Sequence, residues 1–411
     1  MRVVLFHREE SCMSGERHNP FMNLPANEIR KVFANQFNTL PLAVTRAPGR
    51  VELLGNHTDY NEGLVLSCAL DRYIYAAAGP TGKNNTFEFF STFNSSLVVV
   101  ADAVRQQGSA WVNYPLGVYT ILREKGFPAA PFALAITGTI PMGAGLSSSA
   151  ALEIASGLAL STVYGFSVDP VEMAHICRDA ESTFCGTNCG LLDQFSVLFG
   201  KKEHALFIDF RSLEHQTVPI QYQDMLLAIT TSGVTHSLSD SAYNGRRKEC
   251  AEAAKFFSKR DSSVVSLRDV SSTMLESAKG ELDDVVYKRA AHVIGENERV
   301  RRGVEFLKEG KLTEFGTLLY QSHESSRVNF ENSCPELDTL VDYAASLEGV
   351  YGSRLTGGGW GGATLTLIHR DAVDEFRKKI RAGYKEKTGR EASVHFAAVT
   401  DGAGVIHSKS E

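Results

Sequence analysis

The sequence lacks a long hydrophobic run. Although 43% of its 411 residues are hydrophobic, no apolar stretch approaches the roughly 18 residues that a helix needs to cross a bilayer. The N-terminus begins with a short apolar patch, but charged residues and a histidine interrupt it, so it has no apolar core of the kind that a signal peptide needs. We therefore expect no membrane partner, no export and a cytoplasmic location.

An excess of positive charge is also missing. The chain has 42 lysines and arginines against 48 acidic residues, which gives a net charge of −6. Proteins that bind nucleic acid or anionic membranes usually present a basic surface, because phosphates are negatively charged. The composition therefore gives no electrostatic argument for nucleic acid as a partner. A monomer is expected, although no feature of the sequence argues for it.

Cysteines are few and scattered. Their number, seven, is odd, and the close pair is Cys185 and Cys189 in "CGTNC". A structural zinc site would need a second pair at similar spacing, which the sequence does not contain. This pattern is typical of reduced thiols in a cytoplasmic protein rather than of a disulfide framework.

The order of strand-like and helical segments predicts a two-domain α+β protein. A chain of this length exceeds what one hydrophobic core usually supports. The first half mixes strand-like runs such as "FALAITGTIP" with helical runs such as "AALEIASGLALSTVYG" and "DPVEMAHICRDAESTF". From about residue 245 the pattern is strongly helical, and the chain closes on strand, helix and strand. Mixed sheets fit this order better than a doubly wound parallel sheet, and we place the domains at 1–215 and 216–411.

A stretch rich in glycine and serine, "PMGAGLSSSAALEIA", predicts a phosphate-binding loop. Gly143 and Gly145 allow a tight turn whose backbone N–H groups can approach an anion. Ser147, Ser148 and Ser149 then lead into a helix, whose N-terminus favours negative charge. An ordinary loop with an N-cap is the alternative. No lysine follows the glycines as a P-loop requires, and the third glycine of a dinucleotide fingerprint is missing.

A second glycine run, "LTGGGWGGATLTL", leads into a predicted strand. It places five glycines within six positions: Gly357, Gly358, Gly359, Gly361 and Gly362. Because each glycine loses extra backbone entropy on folding, this density indicates that something approaches the backbone closely. A plain glycine-rich turn before a strand is the alternative.

Three motifs in one order give the chain a resemblance to a known family. "APGRVELLGNHTDYNEG" is similar to the galactokinase signature, "PMGAGLSSSA" to the nucleotide-phosphate loop of the GHMP sugar and metabolite kinases, and "LTGGGWGG" to their third motif. "CGLLDQF", "HSLSDSAYNGRR", "RAAHVIGE" and "SCPELDTLV" match as well, so the chain resembles the galactokinase family over nearly its whole length. The resemblance implies the two-domain GHMP kinase fold with its active site in the cleft between the domains. It also implies direct in-line transfer of a phosphoryl group from ATP, with Mg²⁺, to the anomeric (C1) hydroxyl of galactose.

The family's catalytic and metal-binding residues carry over by position. Asp193 in "LLDQF" matches the carboxylate that acts as catalytic base or orients the hydroxyl, and Arg50 in "PGR" matches the arginine beside it. A cation at that place favours the charged carboxylate and stabilises the transferring phosphoryl group. Glu181 in "AEST" matches the Mg²⁺ ligand, with Ser149 or Ser148 as the serine that completes ligation by the protein.

The substrate-binding residues carry over in the same way. For the nucleotide, the resemblance implies Gly143, Gly145, Ser147, Ser148 and Ser149 at the phosphates and Trp111 beside adenine. For the sugar, it implies contacts from Asn56, His57, Asp59, Gly190 and Tyr243.

The signature departs from the family's usual letters at Asn56. Galactokinases commonly read "GEHTDY", and by resemblance that glutamate accepts a hydrogen bond from the sugar's C6 hydroxyl. Asn56 can accept through its carbonyl oxygen, but without charge assistance, a difference on the order of 1 kcal/mol. We therefore expect galactose as substrate with relaxed discrimination at C6. Glu52 also stands where asparagine is usual and Trp360 where phenylalanine is usual, and the sequence alone gives no physical reason for Glu52.

Two other functions stay open at this stage. The first keeps the chemistry and changes the substrate to another hexose, to a C6-modified or N-acetylated galactose, or to a sugar acid. The second is a sensor that binds sugar and ATP without turnover. Such a sensor is expected to have lost part of the serine loop or the base, whereas Arg50, Ser147, Glu181 and Asp193 are all present.

Overall fold

The computed structural model describes residues 24–81, 85–107, 110–141, 144–187, 190–220, 224–234 and 239–408. In these ranges the chain combines helices with two β-sheets, so the predicted α+β class with mixed sheets is confirmed. No helix within them is both long and apolar enough to cross a membrane.

The strands divide between a large sheet and a small one. They are β1 (Ala43–Leu54), β2 (Leu64–Pro80), β3 (Phe87–Ser91), β4 (Ser96–Val100), β5 (Phe132–Gly138), β6 (His204–Asp209), β7 (His215–Pro219), β8 (Met225–Thr231), β9 (Val350–Thr356), β10 (Ala363–His369), β11 (Ser393–Ala397) and β12 (Gly404–Ser408). The large sheet has the order β12-β1-β2-β5-β3-β4, with β6 paired to the start of β2 and β7 paired to β6. It is mixed because β3 and β5 run parallel. The small sheet, β11-β8-β10-β9, is antiparallel throughout.

Helices cover both sheets. They are α1 (Leu24–Phe37), α2 (Asn113–Glu124), α3 (Ser148–Tyr164), α4 (Pro170–Ala180), α5 (Leu192–Phe199), α6 (Ser239–Ser258), α7 (Ser272–Ser277), α8 (Asp284–Lys308), α9 (Leu312–Ser325), α10 (Pro335–Ala345) and α11 (Val373–Thr388). The helical run "AALEIASGLALSTVYG" is confirmed as α3, and its last residue, Gly165, caps the helix with a φ of 68°. The run "DPVEMAHICRDAESTF" is helical from its start: the Asp169 side chain accepts hydrogen bonds from two backbone N–H groups, and Pro170 takes the first position of α4.

The long antiparallel pair of β1 and β2 positions the site. Its register runs from Ala43 opposite Ala78 to Leu54 opposite Leu66, and α3 packs against both strands. Nearly every residue of β1 is buried. Polar side chains near the end of β1 are therefore enclosed by the protein, and they need partners within it or in a bound ligand.

The predicted division at 215/216 remains a prediction, and strand pairing adds detail to it. β7 spans this point, because it begins at His215 and ends at Pro219. β12, close to the end of the described chain, returns to the large sheet and pairs with β1. The small sheet is formed from residues 225–397.

Candidate active site

A cavity of about 330 Å³ lies where the end of β1, the start of α5, the start of α6 and the second glycine run meet. All the residues that the resemblance assigned to catalysis or to the sugar line it: Arg50, Asn56, His57, Asp59, Gly190, Asp193 and Tyr243. Glu52, Gly357, Gly358 and Trp360 line it as well. These residues come from both sides of the predicted domain boundary. A volume of this size suits a small ligand, and the individual roles remain predictions.

The Asp193 carboxylate is held on both of its oxygens. Arg50 donates to Oδ1 from Nε at 2.7 Å and from Nη2 at 2.5 Å, and the Ser147 hydroxyl donates to Oδ2 at 2.5 Å. The Asp193 side chain is nevertheless 24% exposed, against 9% for Arg50. The carboxylate is therefore fixed in place and still open to a ligand in the cavity.

Arg50 also connects Asp193 to the predicted phosphate loop. Its Nη1 donates to the carbonyl oxygen of Gly145 at 2.7 Å. Gly145 is exposed and has a φ of 68°, a left-handed conformation that glycine adopts without strain. An ideal Cβ on Gly357 would lie 3.9 Å from the same carbonyl oxygen. The second glycine run therefore comes close to the predicted phosphate loop. Gly143, the other predicted glycine of the loop, lies outside the described residues.

The predicted loop serines occupy different positions. Ser147 precedes α3 with a φ of 55°, and its hydroxyl is bonded to Asp193. Ser148 and Ser149 form the first turn of α3, where Ser148 is exposed and Ser149 half-buried. The first N–H groups of a helix lack partners within it and favour an anion. The geometry suits phosphate at Ser148 and Ser149, whereas Ser147 already serves the carboxylate.

A buried glutamate of α8 anchors the turn that follows β1. Oε2 of Glu296 accepts the backbone N–H groups of Gly55 at 2.8 Å and Asn56 at 3.0 Å, and Oε1 pairs with Nε of Arg299 at 2.6 Å. Burial alone would raise the pKa of Glu296, but Arg299 and further positive charge outweigh it and hold that pKa well below its usual range. The turn that carries Asn56 and His57 is therefore fixed by a charged group.

The His57 ring is neutral, and both of its nitrogens are hydrogen-bonded. Its Nε2 lies 3.1 Å from the carbonyl oxygen of Gly358, which can only accept, so Nε2 carries the hydrogen. Nδ1 then accepts from the Tyr60 hydroxyl at 2.8 Å. Burial lowers the pKa of His57 to about 4. His57 therefore forms a fixed part of the cavity wall, and its contact with the sugar stays a prediction.

Asp59 and Gly190 fit each other without spare room. An ideal Cβ on Gly190 would lie 1.8 Å from Oδ2 of Asp59. Burial raises the pKa of Asp59 to about 7, and the neighbouring carboxylates of Glu52 and Asp193 add to the effect. Because Gly190 has no side chain, the Asp59 carboxylate can pack directly against it in the cavity wall.

Aromatic rings close the side of the cavity formed by the second half of the chain. Tyr243 on α6 lies with its ring centroid 5.2 Å from that of His57. Trp360, one of the departures from the family's usual letters, lies 6.1 Å from the His57 ring, edge to face, and the Arg246 guanidinium lies 5.7 Å over the indole. An apolar wall opposite several hydrogen-bonding groups is typical of small-ligand sites.

Asn56 and Glu52, the two polar departures, contact each other. Nδ2 of Asn56 donates to Oε1 of Glu52 at 3.1 Å, and Nη1 of Arg354 lies 2.9 Å from the same oxygen. Glu52 is 3% exposed and Arg354 is fully buried. Burial raises the pKa of Glu52, while Arg354 opposes the rise.

Glu181, the predicted magnesium ligand, begins a π-helical turn that follows α4. The Gln194 amide, next to Asp193, donates to Glu181 at 3.3 Å and to the fully buried Glu153 at 3.4 Å. Burial and the neighbouring Glu181 raise the pKa of Glu153 well above its usual range, so Glu181 is the better candidate of the two for a charged oxygen ligand of a hard divalent cation. Among the described residues no three His, Cys, Asp or Glu side chains cluster as a metal site of the protein alone. Magnesium needs no such cluster, because phosphate oxygens and water complete its coordination.

A second cavity, of about 510 Å³, adjoins the first, because Thr187 lines both. Its other lining residues are Arg105, Gln106, Gln107, Asn113, Tyr114 and Cys185. Trp111, predicted to border adenine, lies between Gln107 and Asn113 in the sequence but does not line this cavity. Its indole packs edge-on against Phe89 at 6.0 Å. The predicted contact between Trp111 and adenine stays untested.

The sequence analysis did not identify Glu296, Asn332 and Arg354. These residues bond to residues of the cavity wall without lining the cavity themselves. Asn332 donates to Oδ1 of Asn56 at 2.9 Å. Glu296 could have been found, since it falls on the apolar face of α8 together with Val293 and Val300, where a charge is unusual. Asn332 and Arg354 carry no comparable local signal.

Comparison with known proteins gives matches to family models in three parts of the chain and to relatives over most of its length. The galactokinase galactose-binding signature matches residues 31–80, the GHMP kinases N terminal domain matches 113–201 and the GHMP kinases C terminal domain matches 304–386. The galactokinase of Thermotoga neapolitana is 39% identical over 361 residues, which cover 88% of this chain and 99% of the relative. That of Roseiflexus sp. is 37% identical over 383 residues, 93% of this chain and 98% of the relative.

Solved structures show the same fold. The galactokinase of Lactococcus lactis, complexed with galactose, superimposes with a TM-score of 0.87 at 31% identity, covering 92% of this chain and 99% of the other. A mevalonate kinase superimposes with a TM-score of 0.60 at 16% identity, covering 87% and 99%. The second match shows the fold alone.

Proposed function

Since the chain belongs to the galactokinase family of the GHMP kinases, we propose that it transfers the γ-phosphoryl group of ATP to the C1 hydroxyl of galactose. The observation that carries this proposal is the placement of Asp193. Arg50 binds both this carboxylate and the Gly145 carbonyl of the phosphate loop, so the sugar cavity and the loop meet at one fixed point.

The reaction follows from this placement. The C1 hydroxyl donates a hydrogen bond to Asp193, which orients its oxygen toward the γ-phosphorus. As the new O–P bond forms and the bond to the β-phosphate oxygen breaks, the proton leaves along that hydrogen bond to Asp193, and ADP departs. Arg50 stabilises the charge on the transferring group, and the fixed geometry supplies proximity and orientation. No phosphorylated enzyme forms.

The nucleotide takes the adjoining cavity. In this proposal the adenosine of ATP binds in the space lined by Gln106, Asn113 and Tyr114, and its phosphates bind at the N-terminus of α3. Glu181 and Ser149 would hold Mg²⁺, and the Gln194 amide, bonded to Glu181, would orient the carboxylate. When bound, the ion neutralises negative charge on the β- and γ-phosphates.

A panel of sugars tests the proposal. The purified chain is supplied with ATP, Mg²⁺ and, in turn, galactose, glucose, N-acetylgalactosamine or galacturonic acid, and ADP release is followed by a coupled assay. We expect galactose to give the highest kcat/KM and the product to carry phosphate on C1 by phosphorus NMR. A better rate with another sugar would leave the chemistry standing and change the substrate. Release of ADP that no sugar stimulates would refute the kinase assignment.

A further inference from the structure

The Asn56 side chain is fully engaged by the protein. Its two Nδ2 hydrogens go to Oε1 of Glu52 at 3.1 Å and to the carbonyl oxygen of Gly357 at 3.0 Å. Its Oδ1 accepts from Nδ2 of Asn332 at 2.9 Å. Two acceptors on one side and a donor on the other fix which way the amide faces. Asn56 therefore connects three parts of the wall and has no hydrogen to offer a ligand.

Glu52, in contrast, has acceptor capacity to spare. Both of its partners, Asn56 and Arg354, contact the same oxygen, Oε1. Among the described residues none hydrogen-bonds to Oε2, and Glu52 lines the cavity. A carboxylate oxygen in so enclosed a place gains from a donor that a ligand brings. A sugar hydroxyl is a donor of this kind.

The position of Glu52 on β1 separates it from the C1 hydroxyl. Arg50 and Glu52 pair regularly with Ala69 and Ser67 of β2, so their side chains leave the same face of the strand, about 6.6 Å apart along it. Arg50 holds Asp193, the partner of C1 in the proposed reaction. Glu52 thus lies farther along the same wall of the cavity than Arg50.

We propose that Glu52 recognises the sugar by accepting a hydrogen bond from a hydroxyl other than that on C1, and that Asn56 is the positioning residue that holds it. The inference rests on the proposed function. It also accounts for the two departures together: this chain has the family's usual asparagine and glutamate in exchanged places, and the two side chains touch. Glutamate at both positions would bring two carboxylates into contact, whereas asparagine at both would remove the charged acceptor.

Monodeoxy sugars combined with Glu52→Gln test the contact. We measure kcat/KM for galactose and for its 2-, 3-, 4- and 6-deoxy analogues, with wild type and variant. Loss of a charge-assisted bond should lower kcat/KM for galactose about tenfold to hundredfold, mainly through KM. For the one analogue that lacks the contacting hydroxyl, the same substitution should cost no more than about twofold. That analogue identifies the hydroxyl.

A purely structural role for Glu52 as the counter-ion of Arg354 gives a different result. In that case Glu52→Gln would lower kcat/KM by one common factor for galactose and all four analogues, and the proposal would be overturned. An unchanged rate with galactose would overturn it as well. If the glutamine variant does not fold, Glu52→Asp keeps the charge but shortens the reach, and it should show the same dependence on a single hydroxyl. Glu305→Gln, an exposed change on α8, is the matched control.

The exchanged pair provides a second test, of Asn56. Asn56→Glu alone places two carboxylates together, and we expect it to weaken galactose binding at least a hundredfold, measured by calorimetry without nucleotide. The double variant Glu52→Asn with Asn56→Glu restores one carboxylate and one amide. It should bind galactose at least tenfold more tightly than either single variant. If the double variant binds galactose no more tightly than the weaker-binding single variant, the two positions act independently.

Failure of this inference and failure of the proposed function can be told apart. If wild type prefers another sugar, the deoxy series is built on that sugar and the dependence on Glu52 is measured there. If galactose is the substrate and no hydroxyl depends on Glu52, the reaction stands and the contact is wrong.

Discussion

Two nitrogens of the Arg50 guanidinium, Nε and Nη2, lie 2.7 and 2.5 Å from one oxygen of Asp193, Oδ1. The third, Nη1, donates to the Gly145 carbonyl oxygen at 2.7 Å. A flat guanidinium can make these contacts together, whereas an ammonium group cannot. The Ser147 hydroxyl also donates to this carboxylate, so Arg50 and Ser147 together set the distance between the carboxylate and the phosphate loop.

Asp193→Asn removes the proton acceptor and keeps the shape. We expect kcat to fall by about 10²–10⁴ while the Kd for galactose, measured by calorimetry, changes by less than about tenfold. Asp342→Asn, an exposed change on α10, should leave both values unchanged. Turnover at the wild-type rate in Asp193→Asn would refute the role of this carboxylate.

Arg50→Lys keeps the positive charge but loses the flat guanidinium, whose nitrogens contact Asp193 and Gly145 together. Because lysine cannot contact Asp193 and Gly145 at once, we expect kcat to fall about a hundredfold with little change in the melting temperature. Steady-state kinetics with a thermal melt separate the two effects. If kcat falls less than about threefold, charge alone is enough and the bridging geometry does not matter.

The sequence predicted residues that line the cavity and did not predict the residues that hold them in place. Arg50, His57 and Asp59 stand within one short signature, so a local pattern was sufficient to predict that they line one cavity. The structure adds that Glu296, 241 residues from Gly55, and Asn332, 276 residues from Asn56, hold that signature in place. Contacts over such separations depend on how α8 and the segment after α9 pack, which no local pattern in one sequence records.

The departures show a second limit of sequence reasoning. Read singly, Asn56 suggests a weaker acceptor for the sugar, and Glu52 has no evident purpose. The contact between them changes the interpretation of both, because the carboxylate is still present beside the cavity. Their spacing of four residues did not reveal it, since β1 ends at Leu54 and the chain turns between them.

Gly190→Ala should impair sugar binding without strain in the backbone. Gly190 does not have the positive φ that disfavours alanine, but the added methyl would overlap Oδ2 of Asp59. The carboxylate must turn away, and we expect KM for galactose to rise about tenfold or more, since small displacements of positioning groups are costly. Gly404→Ala, where nothing lies within 4 Å of the added atom, is the control. An unchanged KM would mean that Asp59 does not contact the sugar.

Glu296→Gln should lower stability and loosen the turn after β1. The change leaves Arg299 without its buried partner and weakens the bonds to the N–H groups of Gly55 and Asn56. Breaking a buried charge pair costs about 3–5 kcal/mol, which urea unfolding measures directly. Glu305→Gln on the exposed face of α8 should cost less than about 0.5 kcal/mol. Equal stabilities of the two variants would contradict the anchoring role.

Asp59→Asn should change how stability depends on pH. Burial raises the pKa of Asp59 to about 7, whereas an unfolded chain has a value of about 3.9. Between these values the folded protein binds the extra proton, so this group lowers the free energy of unfolding as pH rises from about 4 to about 7. Asparagine does not titrate. The melting temperature of Asp59→Asn minus that of wild type should therefore increase over this window and level off above about pH 8, while Asp342→Asn shows no such trend. A difference that stays constant from pH 4.5 to 8 would mean that Asp59 titrates alike in the folded and unfolded chain.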